Sequence, residues 1–186
     1  MTKKIIVICL FFSFFSPLQA ALKEEIILNL KKTNNLTFDF KQTIDKKTEE
    51  GSCIIEYPKK IYCLYNNFNK KIMVSNGKSL VINSDRSNQY YRYKLDKTPL
   101  NLILDKNFLI NKMTDSENLS NSLNHYSFKI IYEKTTIIIH FDKNTLNLIG
   151  WTTNDIYQNK VETKISNVEN NLMINNNIFK IQNYIN

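Results

Sequence analysis

Three glycines, three prolines, three cysteines, two histidines and one tryptophan are spread over 186 residues. Each scarcity excludes something. The chain has no glycine-rich phosphate loop and no Gly-x-Ser-x-Gly elbow, so the commonest nucleotide-binding and hydrolase signatures are missing. Turns must come instead from asparagine, which tolerates left-handed backbone. His125 and His140 cannot form a His-Glu-x-x-His zinc helix, and His140, inside "TIIIHF", reads as a structural or exposed strand residue rather than a ligand. Asp85, Asp96, Asp105 and Asp155 sit in separate turns, and their spacing predicts no paired carboxylates. No metal, cofactor or catalytic set is expected, and the chain does not read as an enzyme.

Long apolar runs are scarce too, with one exception. Met-Thr-Lys-Lys is followed by an uncharged run from Ile5 to Phe15, then by Ser16-Pro17 and "LQAA". A short positive region, an apolar stretch and a small-residue exit predict a secretory signal peptide over residues 1–20, cleaved near Ala20. The run is too short to span a bilayer of about 30 Å, and no later segment approaches ~20 apolar residues. The expected product is an exported single domain, residues 21–186, with Cys9 discarded in the leader. Lys3 and Lys4 leave with it, lowering the formal charge from +8 to +6. The remaining lysines are scattered through Asn-rich turns, so no nucleic-acid partner is expected, only a general preference for anions.

Export changes the meaning of the two remaining cysteines. An even pair in an oxidising compartment favours a disulfide over a metal site. If Tyr57, Pro58 and Lys59 form the turn of "SCIIEYPKKIYCLY", Cys53 faces Cys63 and Glu56 faces Lys60. Opposed hairpin positions have Cβ atoms about 4.5–5.5 Å apart, close to what a disulfide spans. The other readings are reduced thiols or a turn shifted by one residue.

Periodicity gives the fold class. Leu22, Ile26, Ile27 and Leu30 recur at helical spacing, with Glu24 and Glu25 early and Lys31 and Lys32 late, predicting an opening amphipathic helix. After "TNN" the period becomes two at Leu36, Phe38 and Phe40. Strand patterns follow at "CIIEY", "IYCLY", "KIMVS", "SLVIN", "YYRYKL", "SFKIIYE", "TIIIHF", "LNLIGW" and "VETKIS". They predict a mainly β (α+β) chain built on a predominantly antiparallel sheet, either curved or closed. Thr98 and Pro99 predict a helix start, with Leu100, Ile103 and Leu104 as its apolar face. Residues 105–124 are the least patterned and suggest a loop or a short helix. Phe38, Phe40, Ile55, Tyr57, Ile61, Tyr65, Ile72 and Val74 can share one sheet face, and periodicity does not separate a sealed core from a concave apolar cavity.

The order of "LTFDFKQT", "GSCIIEYPKKI", "KIMVSNGKSLVIN" and "DKTPLNLIL" behind an amphipathic helix resembles the periplasmic lipoprotein carrier family LolA across nearly all the mature chain. The resemblance implies an incomplete β-barrel closed by helices, whose cavity shelters the acyl chains of lipoproteins. It implies Phe38, Phe40, Ile55, Tyr57, Ile61, Tyr65, Ile72 and Val74 as the binding wall, and Pro99, Leu100, Ile103 and Leu104 as a lid. It further implies a monomer that receives cargo from an inner-membrane LolCDE-type transporter and delivers it to the outer membrane, commonly through a LolB-type receptor. The alternative is an envelope protein that senses lipid or lipoprotein on the same half-barrel; a lipid-cleaving enzyme ranks third. Two departures stand out. Tyr57 occupies the place before the hairpin proline where many members have Arg, so lid closure is expected to rest on packing. The sequence also ends on "NIFKIQNYIN", so the longer carboxyl tail of some members is expected to be reduced or absent.

Overall fold

A computed structural model describes residues 17–68, 70–84, 89–115, 119–155 and 157–185. The leader's positive and apolar regions lie outside these residues, as does Asp85. Eleven strands form one antiparallel sheet: β1 (Asn35–Ile44), β2 (Lys47–Glu56), β3 (Lys60–Tyr65), β4 (Lys71–Asn76), β5 (Ser79–Ser84), β6 (Gln89–Lys94), β7 (Leu119–Asn121), β8 (His125–Tyr132), β9 (Thr135–Asp142), β10 (Leu148–Asn154) and β11 (Lys160–Asn170). The order is β6-β5-β4-β3-β2-β1-β11-β10-β9-β8-β7. Two meanders thus meet where the first strand pairs with the last. The sheet is not closed into a barrel, because β6 and β7 remain its edges.

Two helices fill the half of the concave face that β8–β10 build. Helix α1 (Pro17–Lys32) buries Ile26, Ile27 and Leu30, the stripe its spacing predicts. It starts earlier than the apolar pattern, so Glu24 and Glu25 lie beyond its first turn, while Lys31 and Lys32 do occupy the last. The Lys106 ammonium donates to the Lys31 and Thr33 carbonyls, and the Asn171 amide to that of Lys32, satisfying acceptors that a helix end leaves open. Helix α3 (Lys106–Asp115) emerges from the stretch that the sequence leaves unpatterned. Its signal is Asp105, whose carboxylate accepts the Phe108 N–H at 3.1 Å as an N-cap, with Leu109, Ile110 and Met113 buried beneath. β7, too short to show a period, comes from the same stretch.

Between these helices lies α2 (Leu100–Ile103), a single turn. The Thr98 hydroxyl does not cap it; it donates back to the Leu95 carbonyl at 2.8 Å, and Pro99 is already in helical conformation. Proline has no N–H to satisfy there, so the turn starts without a side-chain cap.

The β2–β3 hairpin has Cys53 opposite Cys63 and Glu56 opposite Lys60, and the two Sγ atoms form a disulfide. Closing so short a loop contributes about 2–3 kcal/mol in the chain-entropy model. The Tyr57–Pro58 peptide bond at its tip is cis. Two residues before Cys53 on the same strand, Gly51 stands opposite both Phe40 and Tyr65. A Cβ there would lie 2.1 Å from the Leu64 carbonyl oxygen, so only glycine fits. The space without a side chain lets the Phe40 and Tyr65 rings meet edge to face, centroids 4.9 Å apart.

The outer face has its own small core. Short 3-10 turns at Asn176–Phe179 and Ile181–Tyr184 fold across β3–β5, where Ile181 packs on Val74 and Val81 and the Tyr184 ring meets Tyr62.

Candidate functional site

Under the other half of the concave face the helices leave a gap. A cavity of 260 Å³ lies between β1–β5, the ends of β10 and β11, and the start of α2. Phe38, Phe40, Ile61, Tyr65, Met73 and Leu80 form its floor, the disulfide is part of the same wall, and Pro99, Leu100 and Ile103 stand across it. Trp151 closes the inner end, meeting Phe38 edge to face at 6.3 Å. Side chains on β1 pass from buried Phe38 and Phe40 to half-buried Gln42 and Ile44, so the cavity opens toward the β1–β2 turn and the β10–β11 loop. Gln42, Thr153, Asn154, Asp155 and Thr163 make this open end polar.

The structure brings together only part of the face expected from alternation. Phe38, Phe40, Ile61 and Tyr65 share the cavity with Pro99, Leu100 and Ile103. Ile72 and Val74 do not: their side chains lie on the outer face with Leu64 and Val81, while their neighbour Met73 points inward. The stretch "KIMVS" is apolar on both sides because the carboxyl-terminal turns cover the outer one, so alternation alone could not choose. Ile55 and Tyr57 line a separate 10 Å³ cleft with Leu30, Ile103 and Trp151, inside the sealed core. Leu104 is fully buried there too, its carbonyl accepting the Lys59 N–H at 2.8 Å. Trp151, Met73, Leu80 and Thr163 were not singled out by the sequence. Pairing carries the missing signal, since Met73 stands opposite Cys63 and Trp151 opposite Thr163.

Around α2, packing is joined by charge. Tyr57 is half-buried, its hydroxyl pushed up by desolvation, with Lys106 over the ring at 5.6 Å. It brings no charge to α2. Lys59 does: besides its backbone bond to Leu104, its ammonium sits 3.2 Å from the Asp105 carboxylate, at the α2–α3 junction. At the open end, the Lys71 ammonium lies 3.8 Å over the Tyr65 ring and pairs with Glu49. Burial, and then Glu49, push the Tyr65 hydroxyl up, leaving this ring a neutral wall element.

Other features compete poorly as sites. A wider depression of 530 Å³ is lined by Asp39, Lys41, Glu50 and Lys164, alternating charges of a solvated sheet face. His140 is held on the outer face, Nδ1 2.8 Å from Ser127 Oγ and Nε2 3.1 Å from Thr152 Oγ1. Among the described residues no three His, Cys, Asp or Glu side chains group as metal ligands, and no helix is long and apolar enough to cross a membrane.

Comparison with known proteins agrees with this architecture. An uncharacterised conserved protein from Thermus thermophilus is similar in fold, with a TM-score of 0.52 at 6% identity, over 86% of this chain and 92% of that one. LprF from Mycobacterium bovis aligns at TM-score 0.49 and 13% identity, over 87% and 97%. A LolA superfamily protein from Nitrosomonas europaea aligns at 0.44 and 6%, over 85% and 97%. The comparison with curated proteins returned no match. The family model described as outer membrane lipoprotein carrier protein LolA matches residues 31–182, which include every strand and the whole cavity wall, and the chain belongs to that family.

Proposed function

We propose that this chain is a non-enzymatic periplasmic carrier, exported by its leader, that shelters the acyl chains of lipoproteins on their way between membranes. The observation carrying this reading is the 260 Å³ apolar cavity, floored by one half of a curved sheet and covered, among the described residues, by a one-turn helix. Acyl chains need such a place because each methylene removed from water is worth about 0.8 kcal/mol. Family membership supports the direction of traffic: cargo taken from a LolCDE-type transporter and passed to the outer membrane, through a LolB-type receptor where one exists.

Mass spectrometry of material co-purifying with the exported protein tests the reading, and acylated polypeptides are the expected result. Phe40→Asp puts a carboxylate into the cavity floor, where desolvation costs roughly several kcal/mol. The folded variant should then recover little acylated material. Equal recovery by parent and variant would remove this cavity as the binding site.

A further inference from the structure

The polar end of the cavity contains a hydroxyl without a partner. Thr153 is 7% exposed, lines the cavity, and its Oγ1 is buried with no hydrogen-bond partner. Buried hydroxyls are seldom left so, and such exceptions call for an explanation. Thr153 stands opposite Val161 on β11, which makes Thr163 its diagonal neighbour on the same face, about 7–8 Å away. Thr163, 3% exposed, accepts a hydrogen bond from the Gln42 amide at 3.1 Å. A hydroxyl that accepts one bond still has a proton to donate. Two buried threonines therefore supply O–H donors where the wall changes from Phe38, Phe40 and Trp151 to polar rim; Asp155 is the one charged group among the described lining residues, and the nearby Lys71 ammonium, over the Tyr65 ring, is already paired with Glu49.

That pattern matches one chemical group. A neutral carbonyl at the head of an apolar chain needs a donor, no counter-charge and an apolar channel behind it. We propose that Thr153, supported by the Gln42–Thr163 pair, is a subsite for the ester or amide carbonyl that joins an acyl chain to its head group. Rotation about the Cα–Cβ bond of Thr153 presents its hydroxyl to the cavity that its side chain already lines. The subsite sets the direction of the ligand, with its tail toward Trp151 and its head toward the β10–β11 loop. This deepens the carrier reading and rests on it.

The test compares two probes that differ by one carbonyl: monopalmitoylglycerol and its ether counterpart, hexadecylglycerol, titrated into the delipidated protein. The parent should bind the ester about fivefold more tightly, the effect of one neutral hydrogen bond. Thr153→Val, nearly equal in volume, should remove that preference, and Thr153→Ser should restore it. Melting curves establish that each variant is folded. Equal binding of both probes by the parent, or an undiminished ester preference in folded Thr153→Val, overturns the subsite while leaving the apolar cavity intact. Failure of both probes to bind removes the cavity reading and the subsite with it.

Discussion

His140 shows how one side chain can couple this fold to pH without taking part in binding. Desolvation first, then His125, and more weakly Lys160 and Lys164, lower its pKa below the ordinary 6.5, opposed only by Glu162. The His125 ring stacks edge to face on it at 4.9 Å. The folded state therefore prefers neutral His140, whereas the unfolded chain protonates normally. Stability is fully present above 6.5, falls as pH drops through that value, and the loss is complete below the depressed folded value. Thermal unfolding between about pH 8 and about pH 5 should show this decline, and His140→Gln should flatten it. An unchanged slope in the variant would assign the acid sensitivity elsewhere. The residue scale is also where sequence reading failed most often. Val74 and Tyr57 are as apolar as Phe40 and Tyr65, but which of them meets a ligand is decided by what covers each face, and the covers come from residues far along the chain.

At the scale of elements, the β2–β3 hairpin is both wall and latch. Its disulfide lies in the cavity, and its tip reaches the α2–α3 junction through Lys59. This pairing was partly legible: Tyr57-Pro58-Lys59 as the turn fixes Cys53 against Cys63. The latch was not, because Asp105 lies at the edge of the stretch with no period, and nothing local tells a cap from a loop residue. Asp105→Asn separates its two roles, since asparagine still accepts the Phe108 N–H but carries no charge for Lys59. Both partners are about a third exposed, so the change should cost less than about 1 kcal/mol of global stability. Locally it should loosen the lid. Hydrogen exchange in residues 99–104 should quicken while the core of α3 stays protected, and added salt should reproduce the effect in the parent. Unchanged exchange would leave the Lys59 backbone bond and the buried Leu104 side chain as sufficient for closure.

For the whole molecule, the two halves of one sheet have different tasks. β8–β10 are sealed by α1 and α3, which also cover Leu36 and Ile55, whereas from Phe38 and Phe40 across to Met73 and Leu80 the described residues place only the one-turn α2 over the concave side. The strand count announced an antiparallel sheet, curved or closed, and the family resemblance an incomplete barrel, but the division of labour depends on where α3 docks, which is a tertiary fact. The empty space is small: 260 Å³ falls just under the roughly 300–1,000 Å³ of sites for drug-sized ligands. A multiply acylated anchor must therefore enlarge it, and the weakest wall is α2, whose Pro99, Leu100 and Ile103 would be pushed outward against the Lys59 latch. Trp151 is the only tryptophan in the chain and stands at the inner end of the cavity, 5% exposed. A monoacylglycerol brominated near its methyl end should quench most of Trp151 emission, and bromine near the carbonyl should quench it less. On loading, exchange in residues 99–104 should rise as α2 yields, and Asp105→Asn should lower the ligand concentration needed for half-maximal quenching. Quenching that does not depend on bromine position would contradict a tail-inward ligand. Tight loading without faster exchange would mean that the sheet, rather than α2, makes the room.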